Sequence, residues 1–90
     1  MARTTRSQVE GIFKLFIQDI DGEIATSYKD VGKYWLEYSS PYGYTIERIS
    51  NENGAVSHPF GSERRKAEEM WYTLHFAIEV LRQQRENHAI

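Results

Sequence analysis

The stretch Ser62–Asn87, SERRKAEEMWYTLHFAIEVLRQQREN, is the longest uninterrupted helical pattern in the chain. Its first apolar set repeats at the i, i+3, i+4, i+7 spacing of an amphipathic helix. That set comprises Ala67, Met70, Trp71, Leu74, Ile78 and Leu81. Ser62 is a suitable N-cap, and Arg82 and Arg85 suit the negative end of the helix dipole. The pattern therefore predicts a helix over Ser62–Asn87 that packs on a core.

A second apolar set on this helix lies nearly opposite the first. Tyr72, Phe76 and Val80 follow one another at four-residue intervals, so they form a stripe along one face. Two opposed apolar stripes require two packing partners. The second partner is either another copy of the chain, a host protein, or another part of the same monomer. The sequence favours a homodimer with Tyr72, Phe76 and Val80 at its interface.

The chain before this helix predicts a helix and three strands. Ser7 and Glu10 suit a capping box, and an apolar stripe continues to Ile20 before Asp21-Gly22 ends the first helix. Residues 23–33 have the composition of a loop. The predicted strands and their turns are Tyr34–Ser39, a turn with a left-handed Gly43, Tyr44–Ser50, a type I′ turn at Asn53-Gly54, and Ala55–His58.

These elements predict an α+β fold: a helix, a three-stranded antiparallel meander and a long C-terminal helix. Each helix offers one core stripe and the sheet needs one cover, so we expect both helices on one face of the sheet. Ninety residues suffice for a single domain, 1–90. Within it, residues 1–6 and 87–90 are expected to be frayed.

Composition narrows the classes of function. The net charge is −2 and there is no cysteine, which excludes disulfides, thiolate chemistry and cysteine-based metal sites. No stretch has the length and apolarity of a membrane span, and residues 1–6 do not resemble a signal peptide. We therefore expect a cytoplasmic protein that does not enter a membrane, with no cofactor and no metal site.

The three histidines are the first candidates for catalysis. His75 lies one turn before Glu79, the spacing of a helix-surface pair. His58, beside Pro59, is favoured as a structural histidine over a general base. No histidine, including His88, has a partner at metal-ligand spacing. No catalytic residue is assigned, and binding is favoured over catalysis.

Basic residues open the predicted last helix. Arg64, Arg65 and Lys66 lie at the end where backbone N–H groups favour anions. They are candidate phosphate or nucleic-acid ligands, together with Arg3 and Arg6. The alternative is that neighbouring glutamates neutralise them on a solvated face.

Two resemblances add expectations. The order of elements and the segment Gly61–Glu68 resemble a double-stranded-RNA-binding domain, and that resemblance implies that Arg64, Arg65 and Lys66 grip phosphates. The first hairpin loop differs from that family, because it reads Ser-Pro-Tyr-Gly where the family has Gly-Pro-x-His.

The segments SYKDVG at residues 27–32, YGY at 42–44 and NENGAVSHPFG at 51–61 are similar to small uncharacterised accessory proteins of tailed bacteriophages. That similarity implies a viral protein acting in a bacterial cytoplasm. The sequence as a whole predicts a non-catalytic binding module that works as a homodimer or by binding a host protein. Nucleic-acid binding is the alternative, and a small enzyme comes third.

Overall fold

The computed structural model describes residues 3–88 and has the predicted order of elements. Helix α1 is Arg6–Asp19, strand β1 is Tyr34–Ser39, strand β2 is Gly43–Ile49, strand β3 is Val56–Ser57 and helix α2 is Ala67–His88. The strands form an antiparallel sheet in the order β1-β2-β3. Within residues 3–88, no helix combines the length and apolarity needed to cross a membrane. The predicted α+β fold is confirmed.

Both helices cover the same face of the sheet. Tyr44 and Ile46 of β2 are buried against the helices, and Tyr34 and Leu36 of β1 pack beside them. The helices contribute Val9, Ile12, Phe13, Phe16, Ile17, Met70, Leu74 and Ile78 to this core. Strand side chains alternate between faces, which leaves Trp35 and its neighbours on the other side of the sheet.

The N-cap of helix α1 lies two residues earlier than the predicted N-cap, Ser7. Thr5 is the N-cap: its hydroxyl accepts from the Gln8 backbone N–H at 3.2 Å, and its own N–H donates to the Gln8 side chain at 2.7 Å. Ser7 lies inside the helix, and Glu10 instead bonds Arg6 at 3.0 Å. The sequence holds two overlapping capping boxes, and the earlier one gives the longer helix.

Residues 1–6 and 87–90 were predicted to be frayed. Two of these residues, Arg6 and Asn87, are instead part of the helices. Residues 1–2 and 89–90 lie outside the described part of the chain.

Helix α2 begins five residues later than predicted, because the chain before it is used by the sheet. Arg65 exchanges two backbone hydrogen bonds with Tyr44, at 2.7 and 2.8 Å. A residue held in that bridge cannot also adopt helical geometry. The first helical bond therefore runs from the Met70 N–H to the Lys66 carbonyl at 2.9 Å. The predicted cap at Ser62 is wrong.

The two hairpin turns differ in how well the sequence predicted them. Gly43 has φ +100°, the left-handed conformation expected there. The prediction of a type I′ turn at Asn53-Gly54 is wrong, because Gly54 has positive φ, at +87°, and Asn53 does not. The Asn51 side chain shapes this turn by accepting from the backbone N–H groups of Asn53 and Ala55, at 2.9 and 3.3 Å. Such an Asx turn needs no second left-handed residue.

The loop between α1 and β1 is organised by one carboxylate. Asp30 accepts from the backbone N–H and hydroxyl of Thr26 at 2.8 and 3.0 Å, and from the Ser27 N–H at 3.1 Å. These donors hold the pKa of Asp30 below its ordinary value of 3.8, since they stabilise the charged form. The loop also forms an isolated parallel bridge between Ile24 and Tyr34.

Candidate functional site

The second apolar stripe of α2 lies on the protein surface. Tyr72 is 60% exposed and Phe76 is 68% exposed, whereas Met70 and Leu74 on the opposite side of the helix are fully buried. Val80 is half-buried. The alternative that this stripe belongs to the core of the monomer is therefore wrong. Large exposed aromatic side chains on a helix are typical of an interaction surface.

An apolar groove of about 740 Å³ runs beside this stripe. We call it the α2 groove. Its inner wall consists of Phe16 and Ile20 at the end of α1, together with Phe60. Helix α2 supplies Tyr72, Thr73, Phe76, Ala77, Val80, Leu81 and Gln84. None of these lining side chains carries a charge, so the groove suits an apolar partner and not an anion.

Phe60 reaches the groove because the chain leaves the sheet after β3. The His58 carbonyl accepts from the Gly61 N–H at 3.0 Å, and Gly61 has φ +89°, so the segment turns sharply here. Phe60 then meets Phe16 edge to face, with ring centroids 5.3 Å apart. The sequence predicted that the apolar stripe of the first helix, which ends at Ile20, packs on the core, and it assigned no role to Phe60. A large apolar residue in the connection before α2 was the available signal.

The outer face of the sheet carries a polar cluster centred on a buried carboxylate. Glu47 Oε1 accepts from the Trp35 indole N–H at 2.8 Å, and Glu47 Oε2 lies 3.4 Å from His58 Nε2. The Tyr28 ring packs edge-on against the Trp35 ring, with ring centroids 4.2 Å apart. Trp35 and Glu47 are direct partners across β1 and β2. The indole N–H thus supplies the hydrogen bond that a buried carboxylate needs.

This cluster has part of an acid–base constellation. His58 next to a carboxylate is the arrangement that orients an imidazole as a base. Catalysis of acyl transfer also needs a nucleophile within hydrogen-bond reach of that base. Among the described residues, no serine or threonine hydroxyl bonds to His58, and no group of three or more histidine and acidic side chains is placed to hold a metal. The contact between Glu47 and His58 joins β2 to the residue that follows β3.

The three basic residues predicted as anion ligands have different surroundings in the structure. Arg64 donates to Glu37 at 2.9 Å and to the Gly43 carbonyl at 3.3 Å, which holds it against the sheet. Arg65 is half-buried in its bridge to β2, and Lys66 is exposed at the start of α2. Of the three, Lys66 is the exposed cation next to the N-terminus of α2, and anion binding by these residues stays a prediction.

Two ion pairs join the end of α1 to α2. Asp19, at the end of α1, lies 2.6 Å from Arg85 Nη2 and 3.6 Å from Arg82 Nε. The hydrogen bond from Arg85 and the nearby charges hold the pKa of Asp19 below its ordinary value of 3.8. His75 lies 3.6 Å from Glu79 and stacks on Trp71, as expected of a helix-surface pair.

Comparisons with known proteins add no assignment to this geometry. No family model, curated protein sequence or solved structure matches the chain.

Proposed function

We propose that the protein is a non-catalytic binding module that acts as a homodimer through the α2 groove and the exposed stripe of Tyr72, Phe76 and Val80. The observation that supports this most is Phe76, which is 68% exposed beside a groove without a charged lining residue. Burying one phenylalanine side chain contributes roughly 1.5–3 kcal/mol. A state with the Phe76 side chain exposed to water therefore has a higher free energy than a state in which a partner buries it.

The setting that we propose is the cytoplasm of a bacterial host, with the protein acting as a phage accessory factor. This rests on the similarity of three short segments to phage proteins. A host protein is the other occupant that the groove would accept, since an apolar helix face is recognised in the same way whichever chain supplies it.

The test is the solution mass of the protein as a function of concentration. We expect wild type to shift from monomer to dimer, and Phe76→Glu to stay a folded monomer, because a charge in the apolar interface is desolvated without a partner. Tyr42→Glu is the matched control: Tyr42 is 70% exposed in the hairpin turn, away from the groove, so this variant should dimerise like wild type. A wild-type mass that stays monomeric at all concentrations would overturn the homodimer.

A further inference from the structure

The exposed face of α2 is nearly symmetric about Phe76. Tyr72 and Val80 lie one helical turn before and after it, and Glu69 and Gln83 lie seven residues before and after it. Seven residues are two turns, so all five side chains fall on one side of the helix. Glu69 and Gln83 are both exposed. An apolar centre with polar ends suits pairing with a second copy, because a two-fold axis matches a patch with itself.

The same face contains a hole for an aromatic side chain. Thr73, Phe76, Ala77 and Val80 have the i, i+3, i+4, i+7 spacing of the four residues that surround a knob in helix–helix packing. All four line the α2 groove. Ala77 has the smallest side chain of the four, so the centre of the hole is open. A phenylalanine from another helix fills such a space.

Charge decides between the two possible directions of pairing. Parallel helices would place Glu69 of one copy against Glu69 of the other, and like charges in contact are unfavourable. Antiparallel helices place Glu69 against Gln83, so that a carboxylate meets an amide N–H donor. The antiparallel register also places Tyr72 on Val80.

We infer that the groove is filled by α2 of a second copy, antiparallel to the first and crossing it at Phe76. This rests on the proposed function and names its partner and register. Each Phe76 enters the hole formed around Ala77 of the other copy, and Phe60 with the end of α1 forms the inner wall of the site. The site is complete only when the second copy supplies its phenylalanine.

Disulfide trapping tests the register, because the chain contains no cysteine. A disulfide requires Cα atoms within roughly 7 Å. We expect a mixture of Glu69→Cys and Gln83→Cys proteins to form a covalent heterodimer under mild oxidation, and neither protein alone to do so. The matched control is a mixture of Tyr42→Cys and Asn53→Cys, two exposed positions in the hairpin turns, which should not cross-link.

The outcomes separate the register from the proposed function. A dimeric mass without the heterodimer, or self-cross-linking of Glu69→Cys alone, would overturn the antiparallel register and leave the homodimer standing. A monomeric mass with no cross-link would overturn both.

Charge variants at position 83 provide a readout that needs no oxidation. Gln83→Lys should tighten the dimer about two- to fivefold by facing Glu69, and Gln83→Glu should weaken it by a similar factor. Equal dissociation constants for the two variants would contradict the register.

Discussion

Gly43 shows how one residue can fix the start of a distant helix. It has φ +100°, and a Cβ atom there would collide with the Arg65 carbonyl oxygen. The close approach permits the bridge between Tyr44 and Arg65, which in turn holds the chain extended until α2 begins. The sequence predicted the positive φ from the turn. It did not predict the bridge, because that contact joins residues far apart in the chain.

The first prediction compares alanine at two left-handed glycines. Gly43→Ala should lower the free energy of unfolding by more than the roughly 1–2 kcal/mol that a left-handed alanine costs, since the backbone of Arg65 must also move. Gly54→Ala is the control, because Gly54 has φ +87° and open space around it. Urea unfolding of both variants provides the measurement. Equal losses of unfolding free energy in the two variants would show that the close approach of Gly43 to Arg65 does not affect stability.

The second prediction concerns the hydrogen bond from Trp35 to Glu47. Trp35→Phe keeps an aromatic ring but removes the donor to a buried carboxylate, so we expect a loss of about 1–3 kcal/mol in the free energy of unfolding. Trp71→Phe is the control for the change in ring size, because the Trp71 ring stacks on His75 and its indole makes no hydrogen bond within residues 3–87. Denaturant unfolding should show the larger loss for Trp35→Phe. A smaller loss there would contradict the role of the bond.

At the scale of elements, local patterns predicted more than long-range contacts did. Strand β1, Tyr34–Ser39, was predicted to the residue, because its alternation follows from burial on one face. Phe60 was missed, since its packing on Phe16 depends on where the chain leaves β3. The Trp35–Glu47 pair was missed for a related reason: it requires the register of β1 on β2, which the sequence left undetermined.

The third prediction is a pH dependence at the contact between α1 and α2. Because Asp19 has a lowered pKa in the folded state, its ionised form contributes stability that is fully present above the unfolded value near 3.8. That contribution is lost as the pH falls through the lower folded value. Asp19→Asn should therefore flatten the fall in unfolding free energy as the pH is lowered below about 3.8. Urea unfolding at successive pH values measures this slope.

Two carboxylates define the controls for that experiment. Asp30 also has a lowered pKa, so Asp19→Asn should remove only part of the acid sensitivity. Asp21→Asn should leave the slope as in wild type, because Asp21 makes no ion pair within residues 3–87. An unchanged slope in Asp19→Asn would show that its bonds to Arg85 and Arg82 do not stabilise the fold.

At the scale of the whole molecule, the domain is a thin two-layer structure of 43 × 39 × 19 Å. One layer is the sheet, and the other is the pair of helices. In such a domain a long helix can bury only one side, so the other side of α2 stays at the surface. The sequence predicted the opposed stripes of α2 correctly. The sequence alone did not show whether the second stripe lies in the core or at an interface, because its exposure depends on where the end of α1 and Phe60 pack.

The last prediction separates an apolar dimer from one held by charge. Because the α2 groove has no charged lining residue, the dissociation constant of the wild-type dimer should change less than about threefold between 0.05 and 0.5 M sodium chloride. Sulfate at the same ionic strength should tighten the dimer, since it strengthens apolar association. Sedimentation equilibrium in the three buffers provides the constants. A tenfold or greater weakening in sodium chloride would instead show that ion pairs hold the copies together.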